Sequence, residues 1–344
     1  MRAKTNPGRF FEHYRLGQVI EHAVPRTVSG GERALYHALY PARHALYSSD
    51  EFARACGLPA APLDDLAAFH LVFGKTVPDV SLNAVANLGY AEGRWHHPVM
   101  PGDTLRARST VIGLKQTSSG GSGVVYVRTE GRNQRDDLVL DYVRWVLVRK
   151  QDQGLPAPDP VVPDLKPALQ AADLVIPQGL DFSAYDFAQA GEPHRWGDYA
   201  VGETIDHVDG VTIEEAEHML ATRLWQNTAK VHFDATFRED GRRLIYGGHV
   251  MSLARALSFN GLANAQMIVG LNGGAHANPC FAGTTVRAWS EVLDKAETKA
   301  PGVGAIRLRL VATSGGAPFE LRGEDGRYLP HVLLDLDYWA LMPL

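Results

Sequence analysis

Two kinds of hydrophobic periodicity alternate along the chain, and the same order of elements occurs twice. Segments such as VVYVRTEG and DLVLDYVRWVLV, and later AIRLRLVAT and HVLLDLDYWALM, place apolar residues at about every second position, as half-buried strands do. The apolar stretches at 63–74 and 249–262 are instead predicted to be helices. Each follows a strand-like opening and a helical stretch that ends near Phe52 or Phe237.

The repeated order indicates an internal duplication. Tyr14 recurs as Tyr199, 185 residues later, and the same displacement carries Asn87 to Asn272. The displacement drifts to 181 and 194 in later segments, as changes in loop length would cause. Three repeated segments, each given with its later copy, are YRLGQVIEH and YAVGETIDH, PGDTLRARSTV and AGTTVRAWSEV, and LDYVRWVL and LDLDYWAL. Several matches in order along the chain favour a duplicated domain over chance.

A proline-rich segment separates the two copies. Residues 151–177 contain six prolines and little periodicity, which is typical of a semi-extended linker. We therefore predict a first half at 1–150, a linker at 151–177 and a second half at 178–344. A long central helix wrapped by an antiparallel sheet, made twice, predicts an α+β fold of the tandem (double) hotdog type.

Composition narrows the classes of function. The chain has 344 residues, is 45% hydrophobic and 21% charged, and carries a formal net charge of −5 without a basic run, which argues against a nucleic-acid or membrane partner. Cys56 and Cys280 lie far apart, near no clustered metal ligands, so we expect free thiols. No signal sequence or membrane span is recognisable, and we expect a cytoplasmic protein with a small-molecule substrate.

Several segments carry a resemblance to a known family. They include KTNPGRFFE, FGKTVPDVSLNAVANLGYA, IDHVDGVTIEEAEHM, YGGHVMSLARALSFNGLANA and LDYWALMP, and they span essentially the whole chain. Together with the tandem layout, they resemble the (R)-specific enoyl-CoA hydratase or MaoC-like dehydratase superfamily, and within it the mesaconyl-CoA hydratases, also called β-methylmalyl-CoA dehydratases. The resemblance implies a hydro-lyase that reversibly hydrates mesaconyl-C1-CoA to β-methylmalyl-CoA, in acetate assimilation of the ethylmalonyl-CoA type or related C5 dicarboxyl-CoA metabolism.

The resemblance also identifies a catalytic histidine. The superfamily motif D-x-N-P-x-H places an acid five residues before a histidine, since one water must be held between two groups that move protons. His232 occupies the histidine position, but Asn227 replaces the aspartate and can orient a water without taking its proton. We therefore expect His232 to be the base, with a pKa near or above that of free histidine. In the first half Tyr47 stands opposite His232, so that half is predicted to be degenerate and to accommodate substrate.

Other residues are assigned to the thioester and to auxiliary roles. Gly247, Gly248 and His249 begin an apolar helical stretch, and their backbone N–H groups are predicted to bind the thioester oxygen. A simple glycine-rich turn into a helix is the alternative. Asp234 and Glu217 are candidate auxiliary carboxylates, for which a solvated helix-face charge is the more common role. No cofactor or metal is implied, because an activated alkene needs none to be hydrated and coenzyme A is part of the substrate.

The substrate's anionic groups require basic partners, which are harder to assign. A buried carboxylate is best bound by a guanidinium. The candidates for the acyl end, apart from Tyr47, are Arg223, Arg255 and Arg43, and those for the coenzyme phosphates are Lys230, Arg242 and Arg243. Each arginine proposed for the acyl end has an ordinary surface or interdomain position as its alternative.

Three other functions and an assembly state stay open at this point. A hotdog acyl-CoA thioesterase would share the fold but lacks the expected acid at position 227. A hydratase of another short enoyl-CoA, or a non-catalytic acyl-CoA-binding module, is also compatible, although the retained histidine disfavours the module. Because exposed strand edges need covering, we expect a homo-oligomer.

Overall fold

A computed structural model describes residues 4–316 and 319–344. In these residues ten strands form one antiparallel sheet in the order β1-β3-β4-β5-β2-β7-β10-β9-β8-β6. The first five strands in this order come from the first half and the other five from the second half, so the predicted α+β double hotdog layout is confirmed. The strands are β1 (Val19–Thr27), β2 (Ala84–Trp95), β3 (Thr104–Gln116), β4 (Ser122–Arg132), β5 (Leu138–Arg149), β6 (Thr204–Thr212), β7 (Ile268–His276), β8 (Thr285–Glu297), β9 (Val303–Ser314) and β10 (Val332–Pro343).

The helices repeat in the same way. The described α-helices are α1 (Gly30–Leu39), α2 (Ala45–Ser48), α3 (Asp50–Ala55), α4 (Asp65–Thr76), α5 (Phe187–Ala190), α6 (Glu215–Leu224), α7 (Lys230–Phe233), α8 (Gly247–Leu257) and α9 (Phe259–Leu262). The two predicted apolar helices correspond to α4 and to α8 with α9, whereas the predicted helical stretch before each is broken into short pieces. In the described part of the chain, no helix is long and apolar enough to cross a membrane.

The central helices α4 and α8 are the interior of the fold. Every residue of α4 is buried, and α8 is buried from Gly248 to Leu257. Both helices contribute to one continuous hydrophobic core with the inner face of the sheet. A repeated polar pair fixes an outer strand of each half, because His22 Nε2 lies 2.8 Å from Ser109 Oγ and His207 Nε2 lies 2.8 Å from Ser290 Oγ.

Strand pairing corrects one of the sequence matches. Asn87 of β2 pairs with Val146, and Ile268 of β7 pairs with Ala340, the residue equivalent to Val146 in the repeat. Asn87 therefore corresponds to Ile268, not to Asn272. The displacement of 185 persists through α2 and α7 but has already shortened at α4 and α8, so the chain length changes in the loops before the central helices.

Candidate active site

One cavity lies where the two halves meet. Its volume is about 270 Å³, and β2, β7 and the starts of α7 and α8 line it together with the end of α4. Most of its wall is apolar. The polar side chains that line it are Ser81, Asn87, Tyr90, Arg144, Asn227, His232, Tyr246, His276 and Asn278. Sequence reasoning placed two of these, His232 and Asn227, and the structure brings them together.

His232 is held in the tautomer that a base requires. Its Nδ1 lies 2.8 Å from the carbonyl oxygen of Leu244. Because a carbonyl can only accept, Nδ1 carries the hydrogen and Nε2 keeps its lone pair. Burial lowers the pKa of His232 to about 4, against the opposing effect of the hydrogen bond to Leu244. The expected pKa near or above that of free histidine is therefore wrong for the substrate-free protein.

Asn227 lines the same cavity as His232, and its amide nitrogen has no hydrogen-bond partner among the described residues. The side chain is 4% exposed, and its Oδ1 accepts a hydrogen bond from the backbone N–H of Ala229 at 3.1 Å. Its own N–H donates to the carbonyl of Thr222 at 2.9 Å. Since Nδ2 makes no hydrogen bond to the described residues, it can donate to a water at the cavity. An amide donor and an imidazole acceptor can thus hold one water between them.

The N-terminus of α8 opens into the same cavity. Gly247 lines it, and the helix has no side-chain cap, so its first amides are left without intrahelical acceptors. A Cβ at Gly247 would lie 2.4 Å from His276 Nδ1, and one at Gly248 would lie 2.4 Å from the Tyr246 ring. A side chain at either position would therefore force a neighbouring ring to move. This supports the predicted use of Gly247 and Gly248, whose N–H groups are suited to a developing oxyanion.

The contacts correct one prediction near this helix and place the two candidate carboxylates in local contacts. The N–H of His249 donates to the carbonyl of Tyr246 at 2.8 Å, so it is not free for a thioester oxygen. The His249 ring is buried, with Nε2 3.3 Å from Glu217 Oε1. Asp234 caps the N–H of Thr236 at 2.9 Å. Neither carboxylate lines the cavity, and each makes a local contact instead.

Two residues predicted to contact substrate are used inside the protein. Arg255 is 3% exposed, and its guanidinium donates to His44 Nε2 at 2.8 Å and to Ser258 Oγ at 3.0 Å. Tyr47 is 2% exposed and donates its hydroxyl hydrogen to Asp65. Neither side chain lines the cavity, so neither binds the acyl group there.

The remaining arginine candidates lie at the surface. Arg43 is exposed and lies over the ring of Phe259, 4.3 Å from its centroid. Arg223 is exposed at the end of α6, and Arg243 forms an ion pair with Glu215. Neither Arg43 nor Arg223 lines the main cavity, so the structure does not support them as ligands of the acyl group. Arg243, predicted for the coenzyme phosphates, lines neither of the two described cavities.

Lys230 is placed differently, next to a smaller cavity. This cavity has a volume of about 140 Å³, is also lined by Arg149, and shares Ala84 with the main one. Arg242 is exposed and lies over the ring of Phe281, 3.9 Å from its centroid. Two basic side chains thus flank a cavity adjoining the main one.

Sequence reasoning missed the most unusual side chain of the site. Arg144 of β5 is 0% exposed and lines the cavity. Its Nη2 donates to Thr76 Oγ1 at 2.6 Å, but Nε and Nη1 find no partner among the described residues. The sequence contained a signal, because Arg144 is a charged residue at a buried position in register with the apolar Leu140, Tyr142 and Val146 of its strand.

His276 was also missed. It ends β7, its Nε2 lies 3.1 Å from the hydroxyl of Tyr90, and its buried Nδ1 has no partner among the described residues. Burial lowers the pKa of His276 to about 4. No motif marks this residue, since only the strand pairing brings it beside α8. Within residues 4–316 and 319–344, no group of three or more His, Cys, Asp or Glu side chains is arranged to hold a metal ion.

Comparison with known proteins identifies the family of the chain. Residues 1–316 match the sequence profile of the family described as Mesaconyl-CoA hydratase. The chain is 79% identical over 341 residues to the mesaconyl-CoA hydratase of Cereibacter sphaeroides, with 99% of each chain covered. It is 56% identical over 351 residues to the β-methylmalyl-CoA dehydratase of Chloroflexus aurantiacus, with 100% of this chain and 99% of the relative covered.

Solved structures show the same fold. The crystal structure of a MaoC domain dehydratase from Chloroflexus aurantiacus superposes with a TM-score of 0.97 at 56% identity, covering 99% of each chain. Rv0216 of Mycobacterium tuberculosis, described as a double hotdog fold, superposes with a TM-score of 0.74 at 24% identity, covering 97% of this chain and 98% of that one. With the family profile matching most of its length and close relatives aligned end to end, the chain belongs to the mesaconyl-CoA hydratase family.

Proposed function

We propose that this protein reversibly hydrates mesaconyl-C1-CoA to β-methylmalyl-CoA. The observation that carries the proposal is the meeting, in one cavity, of the His232 Nε2 lone pair, the Asn227 amide and the free N-terminus of α8. These are the three groups that addition of water to an enoyl thioester needs. The names of the two curated relatives support the same substrate.

The first step activates water. A water held by Asn227 Nδ2 and His232 Nε2 loses a proton to His232 as its oxygen bonds to C3 of the acyl group. The electron pair of the C2–C3 double bond moves toward the thioester, and negative charge develops on the carbonyl oxygen. Asn227 cannot take the proton, so the imidazole is the acceptor.

The second step returns the proton. Amides of Gly247 and Gly248 at the start of α8 stabilise the enolate oxygen, a type of contact whose removal typically costs about 10²–10³-fold in turnover. The imidazolium of His232 then gives its proton to C2, which regenerates the neutral base and completes β-methylmalyl-CoA. Run in reverse, the same groups dehydrate the product.

The coenzyme is assigned to the side of the smaller cavity. Lys230 and Arg149 line that cavity, and no ion-pair partner is present for either among the described residues. Cationic side chains at a cavity that adjoins the acyl site suit the phosphates of coenzyme A. Hydration of an alkene already activated by a thioester requires only proton transfer, so the proposal includes no metal and no cofactor. It also retains the expectation of a homo-oligomer.

The test follows the enoyl-thioester absorbance of mesaconyl-CoA and the release of free thiol. Reversible loss of absorbance without thiol supports hydration, and its reversal should start from β-methylmalyl-CoA. Release of thiol would instead identify a thioesterase, and absence of both changes with measurable binding would identify a binding module. Dialysis against a chelator should leave the rate unchanged, and light scattering gives the mass of the assembly.

A further inference from the structure

We propose that Arg144, assisted by Asn87, binds the free carboxylate of the acyl group. The inference rests on the proposed function and names the residues that select a carboxylated acyl chain. The first observation that supports it concerns the charged residues of the main cavity. Among the described residues that line the main cavity, Arg144 is the one Lys or Arg, and no Asp or Glu accompanies it.

The charge of Arg144 has no counter-ion in the protein. The side chain is 0% exposed, and no carboxylate of the described residues lies within ion-pair distance of it. Burying an unpaired charge is strongly unfavourable, and buried charges in proteins are ordinarily paired. A ligand that brings a negative charge into this cavity would remove that imbalance. The arrangement therefore favours an anionic acyl group over a neutral one.

The hydrogen-bonding groups point to the same ligand. Nε and Nη1 of Arg144 have no partner in the described part of the chain, and neither do Nδ2 and Oδ1 of Asn87. Both residues line the cavity. Buried donors of this kind are rare in folded proteins, because each costs the hydration it has lost. A carboxylate has several acceptor lone pairs and can engage the guanidinium and the amide together.

The guanidinium is fixed on the wall that leads to the base. Arg144 lies over the ring of Phe73, 4.3 Å from its centroid, and Nη2 is held by Thr76. The Phe73 ring is 5.7 Å from that of Tyr246, and the Tyr246 ring is 5.7 Å from that of His232. A contiguous aromatic wall thus connects the anion-binding end to the catalytic end.

The place of the carboxylate in the substrate predicts that Arg144 also affects turnover. In mesaconyl-C1-CoA the carboxylate is bonded to C3, the carbon that receives the water. Its negative charge repels a water that is becoming hydroxide-like. A guanidinium paired with the carboxylate reduces that repulsion in the transition state, so Arg144 should influence turnover as well as binding.

The test compares two substrates in an Arg144→Met variant. One is mesaconyl-CoA, and the other is 2-methylbut-2-enoyl-CoA, in which a methyl group replaces the carboxylate. We expect kcat/KM for mesaconyl-CoA to fall about 10²–10³-fold, the usual range when one partner of a buried charge pair is removed. The value for the neutral ester should stay the same or rise. Equal losses on both esters would overturn the proposal.

Matched variants separate charge from packing. Arg144→Lys keeps the charge but not the planar donors, so it should lose less activity on mesaconyl-CoA than the methionine variant. Asn87→Leu should lose about tenfold, again only on the carboxylated ester. Arg108→Gln removes a half-buried arginine that pairs with Glu130 outside the cavity, and it should behave like the wild type on both esters. If the methionine variant does not fold, the lysine and leucine variants decide by the same criterion.

A binding measurement distinguishes this proposal from the proposed function. Methylfumarate, the free dicarboxylate, should raise the Tm of the wild type and have no effect on that of Arg144→Met. Failure of the wild type to hydrate mesaconyl-CoA would overturn the proposed function, while the Tm shift would still report on Arg144. Equal Tm shifts in both proteins would overturn the role of Arg144.

Discussion

The two central helices begin in opposite ways, although they occupy equivalent places in the repeat. In the second half α8 begins with Gly247 and no side chain caps it. In the first half Asp64 caps α4, with Oδ1 2.9 Å from the N–H of Leu66. The next residue, Asp65, accepts from Tyr47 and from the N–H of Ile268 at 2.7 Å. In the first half, carboxylates of the protein therefore occupy the position that is open to a substrate in the second half.

The difference extends to the residue facing each helix. Tyr47 and His232 are both the third residue of a four-residue helix, α2 or α7. Tyr47 closes its site with a hydrogen bond, whereas His232 keeps a free nitrogen at an open cavity. Burial and the neighbouring Asp64 raise the pKa of Asp65 to about 8. The same arrangement, a four-residue helix facing the start of a central helix, thus has a structural role in the first half and forms the proposed reaction centre in the second.

The strongest test of this comparison replaces the two facing residues. His232→Ala should lower kcat on mesaconyl-CoA about 10²–10⁴-fold, the usual contribution of a general base. Tyr47→Phe should leave kcat unchanged, but it removes a buried hydrogen bond from Asp65 and should lower the free energy of unfolding by about 1–3 kcal/mol. Steady-state kinetics and denaturant unfolding measure the two effects. A Tyr47→Phe enzyme without activity but with normal stability would reverse the assignment of the halves.

Closing the open helix is the next test. Gly247→Ala places a methyl group 2.4 Å from the present position of His276 Nδ1. The histidine ring must therefore move, or the thioester must be displaced. We expect a loss of kcat of about 10²-fold, comparable to loss of an oxyanion donor. Gly17→Ala is unsuitable as a control because Gly17 has a positive φ of 76°. Gly30→Ala, at the start of α1 with open space around its Cβ position, should keep full activity.

Changing the water-binding amide has a smaller effect that differs between substrates. Asn227→Asp retains the oxygen that caps Ala229 but directs a negative charge at the cavity, near His232 and the substrate carboxylate. Like charges repel, so KM for mesaconyl-CoA should rise about tenfold relative to that for a neutral ester such as crotonyl-CoA. Improved kcat/KM on mesaconyl-CoA would show that asparagine is not an adaptation to a carboxylated acyl group.

The smallest expected effect is that of pH on the substrate-free enzyme. Because the pKa of His232 is lowered to about 4, the ring is neutral above that value and becomes protonated, and inactive as a base, only as pH falls toward it. We therefore expect kcat/KM to be constant between about pH 6 and pH 8. A rise in activity centred near the ordinary histidine value of about 6.5 would contradict the buried environment of His232. Asn227→Asp should shift the acidic limb upward, because the carboxylate favours the imidazolium.

How well each feature could be predicted depends on how far apart in the chain the interacting residues lie. The repeated order of strands and helices, the double hotdog layout and the pairing of His232 with Asn227 depend on local periodicity or on one motif, and these were predictable. The arginine that lines the cavity was not, because the sequence does not show which arginine the folded sheet brings to the site. Arg144 lies 88 positions from His232 in the chain and meets the cavity only through the pairing of β5 with β2.

Other misses have the same physical origin. His249 follows the two glycines directly, yet helix geometry turns its N–H toward the carbonyl of Tyr246. Arg255 lies on the same helix as Gly247, but two turns later it faces the interior. A charged residue at an inward strand position, such as Arg144, is the sequence feature that indicates a charged group in the interior.

The pairing of β2 with β7 has a consequence for how the enzyme handles its substrate. Tyr90 pairs with Gly274 and Arg94 with Gly270, so the sheets of the two halves are continuous through backbone hydrogen bonds. Arg144 of β5, which we propose binds the anion, and the second half that carries His232 are therefore joined through one sheet rather than by a hinge. Acyl chains should be sorted by length through a fixed spacing, and association should occur in a single kinetic phase without a slow closing step.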